Sequence, residues 1–154
     1  MDDTADGAFV AQRDGHTIST APSRLDRDMV YRFITESYWS KGMTRSFFER
    51  SVDAALCFGL YDPSGAQVGF ARVATDFATM AHLADVFVLP AHRGRGLGRW
   101  LVDCVLSHPR LQGLRRWTLS TDDAHAIYAA FGFVPADPKT QMQRIDPEAH
   151  KREV

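Results

Sequence analysis

Val86-Phe87-Val88-Leu89-Pro90-Ala91-His92-Arg93-Gly94-Arg95-Gly96-Leu97-Gly98-Arg99-Trp100-Leu101-Val102 is the stretch that decides this chain. It reads as a strand, a short turn, a glycine-rich loop and a helix. Gly94, Gly96 and Gly98 carry no Cβ, so the backbone there can approach a ligand closely. The helix that follows leaves its first N–H groups unpaired and carries partial positive charge at that end. Together these make an anion site, suited to a phosphate or pyrophosphate. Cations are disfavoured at a helix N-terminus, so Arg93, Arg95 and Arg99 make sense beside a polyanion.

Three glycine-loop chemistries compete. A P-loop ends in Gly-Lys-Ser/Thr, whereas Gly98 is followed by Arg99 and Trp100. A dinucleotide loop needs G-x-G-x-x-G, and its third glycine would fall on Arg99. The third pattern, Arg/Gln-x-x-Gly-x-Gly/Ala, is met in full by Arg93 to Gly98. With Val86-x-Val88-Leu89-Pro90 before it, the segment resembles the acyl-CoA pyrophosphate loop of the GNAT acetyltransferase superfamily. Ala124-His125-Ala126-Ile127-Tyr128-Ala129-Ala130-Phe131-Gly132-Phe133 resembles the family's A-x-x-x-Y-x-x-x-G-F segment, in the right order and separation. The resemblance covers roughly Ala66 to Phe133 strongly.

Composition sets the outer bounds. The chain has 154 residues, 45% of them hydrophobic, which suits one domain with a real core. A formal charge of −1 argues against a nucleic-acid partner. Cys57 and Cys104 sit in apolar runs and read as buried free thiols. The start, Met1 to Asp6, is acidic and polar and does not resemble a signal peptide. No apolar run reaches the ~20 residues that span a bilayer. The expectation is a cytoplasmic protein with no membrane partner and no metal.

Along the chain, residues 1–14 read as a flexible segment and residues 15–154 as one domain. His16–Thr20 reads as a strand. Ser23 is the expected cap of a helix running to about Tyr38, with Leu25, Met29, Val30, Phe33 and Ile34 on its apolar face. Thr44 caps a second helix. Residues 55–61, 67–75 and 80–89 read as strands, with a turn at Asp62–Gly65. A helix over Gly98–Ser107 stops before Pro109. A strand follows at 116–120. Asp122 or Asp123 caps a helix ending near Phe131, with Gly132 after it. Gln141–Ile145 reads as a last strand. The fold class is α/β, with an antiparallel meander first. The resemblance implies the GNAT fold, a mixed and mostly antiparallel central sheet flanked by helices.

The resemblance also implies a chemistry: an N-acetyltransferase moving acetyl from acetyl-CoA, as co-substrate, to a primary amine of a small molecule by direct attack. Direct attack is expected because no cysteine has a nucleophile context. Two alternatives stand beside it, a non-catalytic acyl-CoA-binding module and transfer of a longer acyl group. Tyr128 is the donor candidate, since it occupies the position whose tyrosine points at the CoA sulfur in many family members. A phenol with its ordinary pKa near 10 is protonated at neutral pH and can donate. Three side chains are open as the base, namely His82, Asp85 and Asp76, together with a water chain. Strict alternation puts His82, Ala84, Val86 and Val88 on one face, with Asp85 opposite unless a bulge re-aims it. The peptide groups of Arg93, Gly94, Arg95, Gly96, Leu97 and Gly98 are expected to cradle the pyrophosphate, with Arg99 alongside. The main chain of Phe87 and Val88 is expected to pair with pantetheine. Thr121, where the family often has Asn, and His125 are expected near CoA. Tyr38 and Trp39 are expected at the amine site, where aromatic faces can hold a cation. Homodimerisation through the C-terminal strand is common in the family.

Overall fold

The computed structural model describes residues 2–3 and 7–154. Seven strands form one sheet in sequential order: β1 (Asp2–Asp3), β2 (Phe9–Arg13), β3 (His16–Ser19), β4 (Leu56–Tyr61), β5 (Gln67–Thr75), β6 (Met80–Val88) and β7 (Arg116–Leu119). Neighbours pair antiparallel as far as β6, and β6 pairs parallel with β7. The helices are α1 (Arg27–Glu36), α2 (Arg45–Asp53), α3 (Leu97–Ser107) and α4 (His125–Ala129). This is the α/β class with a mixed, mostly antiparallel sheet.

The sheet has a core on each face. Leu97, Leu101, Cys104 and Val105 of α3 pack on one face, against Ile18, Phe58, Leu60, Ala71, Val73 and Leu83. On the other, Val30 and Ile34 of α1 and Phe48 and Val52 of α2 pack against Cys57, Phe70 and Phe87. Each fully buried side chain of this size contributes about 1.5–3 kcal/mol. Both cysteines are free and buried, and burial pushes the Cys57 thiol up to about 12. Among the described residues no helix is long and apolar enough to cross a membrane.

Four local readings are corrected. Residues 9–13 are not loose. They form β2, because Phe9 is buried between the sheet and α3, and Val10 to Arg13 find partners along β3. Met1 and residues 4–6 of the expected flexible segment lie outside the described residues. The first helix starts at Arg27, not Ser23. Asp26 is its cap, accepting from Met29 N–H at 3.1 Å, while its own N–H donates to Gln67 Oε1 at 2.7 Å. A contact to β5 therefore outweighs the local Ser23 signal. Gln141–Ile145 forms no strand, and Met142 is 98% exposed. The chain beyond it instead docks on α2, where Thr44 N–H donates to His150 O and Thr44 Oγ1 to Arg152 O. At α4 neither Asp122 nor Asp123 caps. Thr121 Oγ1 accepts from Ala124 N–H at 3.1 Å.

Candidate active site

The site opens where two strands part. Register between β6 and β7 runs from Met80↔Arg116 to Leu83↔Leu119, and β6 then continues to Val88 after β7 has ended. In the same region β6 has a bulge. Phe70 faces Phe87 and Arg72 faces Ala84, so Ala71 alone opposes Asp85 and Val86. Asp85 takes a left-handed backbone, φ +56°. The bulge shifts the phase of the strand. Leu83 and Val88 go with the α3 face and Phe87 with the α1/α2 face. Strict alternation through residues 82 to 88 is therefore corrected, and Asp85 reaches Arg72 across the sheet.

The strand feeds the glycine loop. Leu89 N–H donates to Val68 O at 2.8 Å, so alternation turns the Val88 peptide groups away from β5. Phe87 pairs with Phe70, which commits its main chain to β5. Of the two residues expected to offer main-chain groups, Val88 alone faces the open side. Its carbonyl accepts from Arg93 Nε at 2.8 Å. Phe87 contributes its side chain instead, stacked on Phe33 with centroids 3.9 Å apart.

Gly94 and Gly96 have φ +81° and +76°, and a Cβ added at either would meet nothing within 4 Å. The loop is an open cradle whose curvature needs glycine. Gly96 caps α3 with no side-chain acceptor, so the first-turn N–H groups face outward without partners of their own helix. A cavity of about 700 Å³ lies against this turn. Phe87, Val88, Arg93, Gly94, Gly96, Leu97, Gly98 and Arg99 line it, as do Tyr38, Trp39 and Tyr128. Arg95, Thr121 and His125 do not: Arg95 and His125 are exposed, and Thr121 lines a neighbouring cavity. The residues present fit a polyanionic pyrophosphate, with unpaired N–H groups in front and two guanidinium groups beside it.

The neighbouring cavity, about 360 Å³, holds the candidate acid–base groups. His82, Asp85, Thr121 and Asp122 line it, and Tyr38, Trp39, Asp123 and Tyr128 line both cavities. Tyr128 therefore stands on the shared wall. Burial, with the Asp123 charge nearby, pushes its pKa above the ordinary phenol value. His82 shares a 2.7 Å hydrogen bond between its Nδ1 and Thr118 Oγ1. Burial pushes the His82 pKa down, the Arg72 charge pushes the same way, and Asp85 opposes them. Asp85 Oδ2 accepts from Arg72 Nε at 2.8 Å, with the two side chains 13% and 22% exposed. Tyr38 is held above its ordinary value by a hydrogen bond to Asp122.

Asp76 lies elsewhere. It accepts from the N–H groups of Ala78, Thr79 and Met80 and so ties the β5–β6 turn. The Thr79 hydroxyl, which also donates to it, and those N–H groups hold its carboxyl far below the usual range and remove it from the list of bases. Arg72 and Phe33 are the site residues that sequence reasoning missed. Arg72 had a signal, because a cation within an apolar strand calls for a buried counter-ion. Among the described residues no cluster of three or more His, Cys, Asp or Glu could hold a metal.

Residues 53–135 match the model of the acetyltransferase (GNAT) domain family. This chain belongs to the GNAT family. A candidate GNAT acetyltransferase from Xanthomonas campestris pv. campestris has a crystal structure that superposes with a TM-score of 0.84 at 45% identity, covering 89% of this chain and 97% of that one. A candidate acetyltransferase from Gibberella zeae is 29% identical over 138 residues, 75% of this chain and 77% of its own. A Mycobacterium tuberculosis protein solved in complex with CoA shares the GNAT fold at TM-score 0.62 and 21% identity, covering 78% of this chain and 72% of that one. GNAT membership makes acetyl or acyl transfer the chemistry of this chain, and the glycine loop lies inside the matched region.

Proposed function

We propose that the protein moves acetyl from acetyl-CoA to a primary amine of a small molecule by direct attack. The observation that carries this reading is the position of Tyr128 on the wall between a polyanion cradle and a cavity holding His82. The amine nitrogen attacks the thioester carbonyl, a C–N bond forms, and the C–S bond breaks. His82 removes the proton that the amine must lose. Its depressed pKa leaves the imidazole neutral at pH 7, which a base requires. Tyr128 gives its proton to the departing thiolate, and its raised pKa keeps that proton available. Asp85 is not the base in this reading, because Arg72 already engages it.

The charge pattern supports an amine acceptor. The cavity beyond Tyr128 carries Asp122 in its lining and no Lys or Arg, Asp123 lines both cavities, and the cradle carries Arg93 and Arg99 together with Glu36. Aromatic Tyr38 and Trp39 stand between the two and can face a cation. A cationic amine suits that surface better than an acid or a phosphate.

Thermal shift with acetyl-CoA, CoA and NADH tests the co-substrate. Ligand at 100 times its Kd stabilises by about 2.7 kcal/mol. Thiol release from acetyl-CoA with a panel of mono- and diamines, amino acids and aminoglycosides tests transfer. A shift with acetyl-CoA but not NADH, followed by amine-dependent thiol release, is the expected result. Binding with no release across the panel favours an acyl-CoA-binding module. No shift at all removes the proposal.

A further inference from the structure

We propose that Arg72 is a positioning residue of this site: its ion pair with Asp85 holds the β6 bulge in place and keeps His82 free to act as the base. The proposal rests on the reading of His82 given above. Asp85 is a non-glycine residue at φ +56°, a conformation that persists only where its surroundings over-determine it. The bulge has a partner built for it. Arg72 stands on β5 opposite Ala84, at the register jump, and its Nε meets Asp85 Oδ2 at 2.8 Å. Both side chains are largely buried. A buried pair of this kind contributes little net stability over an apolar pair of the same shape, whereas removing one partner strands a charge. Asp85 of this pair lines the same cavity as His82, with Arg72 engaging it from the neighbouring strand, and that placement points to positioning.

The same pair sets the field at His82. On β5 the facing charge is Arg72, and on β6 it is Asp85. β7 contributes the neutral hydroxyl of Thr118. Cys57 of β4 lies beside Arg72 and stays a thiol, since burial pushes it up to about 12. Asp122, Asp123, Tyr38 and Tyr128 stand around the same cavity. Arg72 cancels the nearest carboxylate and adds a cation of its own, so a proton on the imidazole is disfavoured. Without Arg72, the Asp85 charge beside His82 would be uncompensated and would favour the imidazolium, which cannot accept the amine proton.

NMR titration of the His82 imidazole in the free protein, assigned with His82→Gln, is the test. In Arg72→Met the His82 midpoint is expected to move up, and Arg72→Lys is expected to restore most of the low value. In Asp85→Asn the midpoint is expected to move down. Stabilisation by acetyl-CoA is expected to survive in Arg72→Met, because Arg72 does not line the cradle. With the panel amine that turns over fastest, the acid limb of kcat should follow the NMR midpoint while KM for acetyl-CoA stays put. An unchanged His82 midpoint in folded Arg72→Met overturns the proposal. If that variant does not fold, an unchanged midpoint in Asp85→Asn overturns it. The titration needs neither co-substrate nor acceptor, so it fails or holds independently of acetyl transfer.

Discussion

His82 Nδ1 and Thr118 Oγ1 meet at 2.7 Å, across the register pair next to the point where β6 and β7 stop pairing. The bond spends one ring nitrogen on the sheet and leaves Nε2 for the cavity. Orientation of this kind is what a general base needs before its pKa matters. Thr118→Val keeps the shape and removes the partner. It is expected to cost about 1 kcal/mol in denaturant unfolding, a typical net hydrogen-bond contribution. Its kcat should fall while KM for acetyl-CoA is unchanged.

His82→Gln is expected to lower kcat by about 10²–10⁴, the range for loss of a general base. Its pH dependence has a definite sign. Burial and Arg72 set the His82 pKa below the ordinary imidazole value, so the unfolded chain binds the proton more readily than the native one. The wild-type stability due to this group is complete above about pH 6.5 and is lost as pH falls from there towards the folded value. His82→Gln should show a flatter decline over that window in parallel melts.

Tyr128→Phe removes the proposed donor and keeps the ring that packs beside Phe133, with centroids 5.9 Å apart. The fold should be retained, and acetyl-CoA binding by calorimetry should be close to wild type. Steady-state kcat should fall by about 10²-fold or more. Because burial raises the Tyr128 pKa, the wild-type rate should show no basic limb from this group below about pH 10. Full activity in Tyr128→Phe would remove the donor assignment.

The two glycines on either side of the α3 start should respond oppositely. Gly96 stands at φ +76°, so Gly96→Ala carries backbone strain of about 1–2 kcal/mol and lowers Tm. Gly98 is helical, and an added Cβ would meet Val88 Cγ2 at 3.7 Å, an ordinary contact. Gly98→Ala should hold or raise stability, by up to about 1 kcal/mol from helix propensity. Both should weaken acetyl-CoA binding, because both positions line the cradle.

Phe33 and Phe87 stack with centroids 3.9 Å apart and an interplanar angle of 13°. Both rings line the cradle, with Phe87 buried and Phe33 the more exposed partner of the stack. Phe33→Ala is expected to lose about 0.5–1.5 kcal/mol for the ring pair, plus the apolar area it covers. Acetyl-CoA affinity should drop with it, whereas Phe33→Leu should recover part of both.

Legibility followed the range of the interactions involved. Residues 67–75 and 80–89 alternate or run apolar between turn signals, and β5 and β6 form almost where that pattern puts them. The glycine loop and α3 were readable because their signal is local: three glycines, a helix pattern and a proline stop within one stretch. The meander was readable because Asp62 accepts from Ser64 and Ala66 N–H in a turn of its own residues. The resemblance to the GNAT family rested on the same local segments, inside the matched region 53–135.

Tertiary structure decided the rest. Whether Asp85 faced His82 depended on a bulge, and that bulge is held by Arg72, 13 residues away on another strand. Asp26 displaced Ser23 as the α1 cap through a bond to Gln67. Phe9 drew residues 9–13 into the sheet because a buried aromatic side chain outweighs a polar local composition. Gln141–Ile145 stayed out of the sheet, and the nearby residues 146–154 turned back to α2. The sequence by itself determined the periodic elements, the glycine loop and the tyrosine on α4, since each is encoded within a few consecutive residues. The tertiary structure alone decided which carboxylate is neutralised, which histidine is oriented and where the two cavities meet. Those outcomes depend on pairwise contacts between distant segments: a cation within an apolar strand signals that a counter-ion is needed, but which carboxylate supplies it has no local trace in the chain.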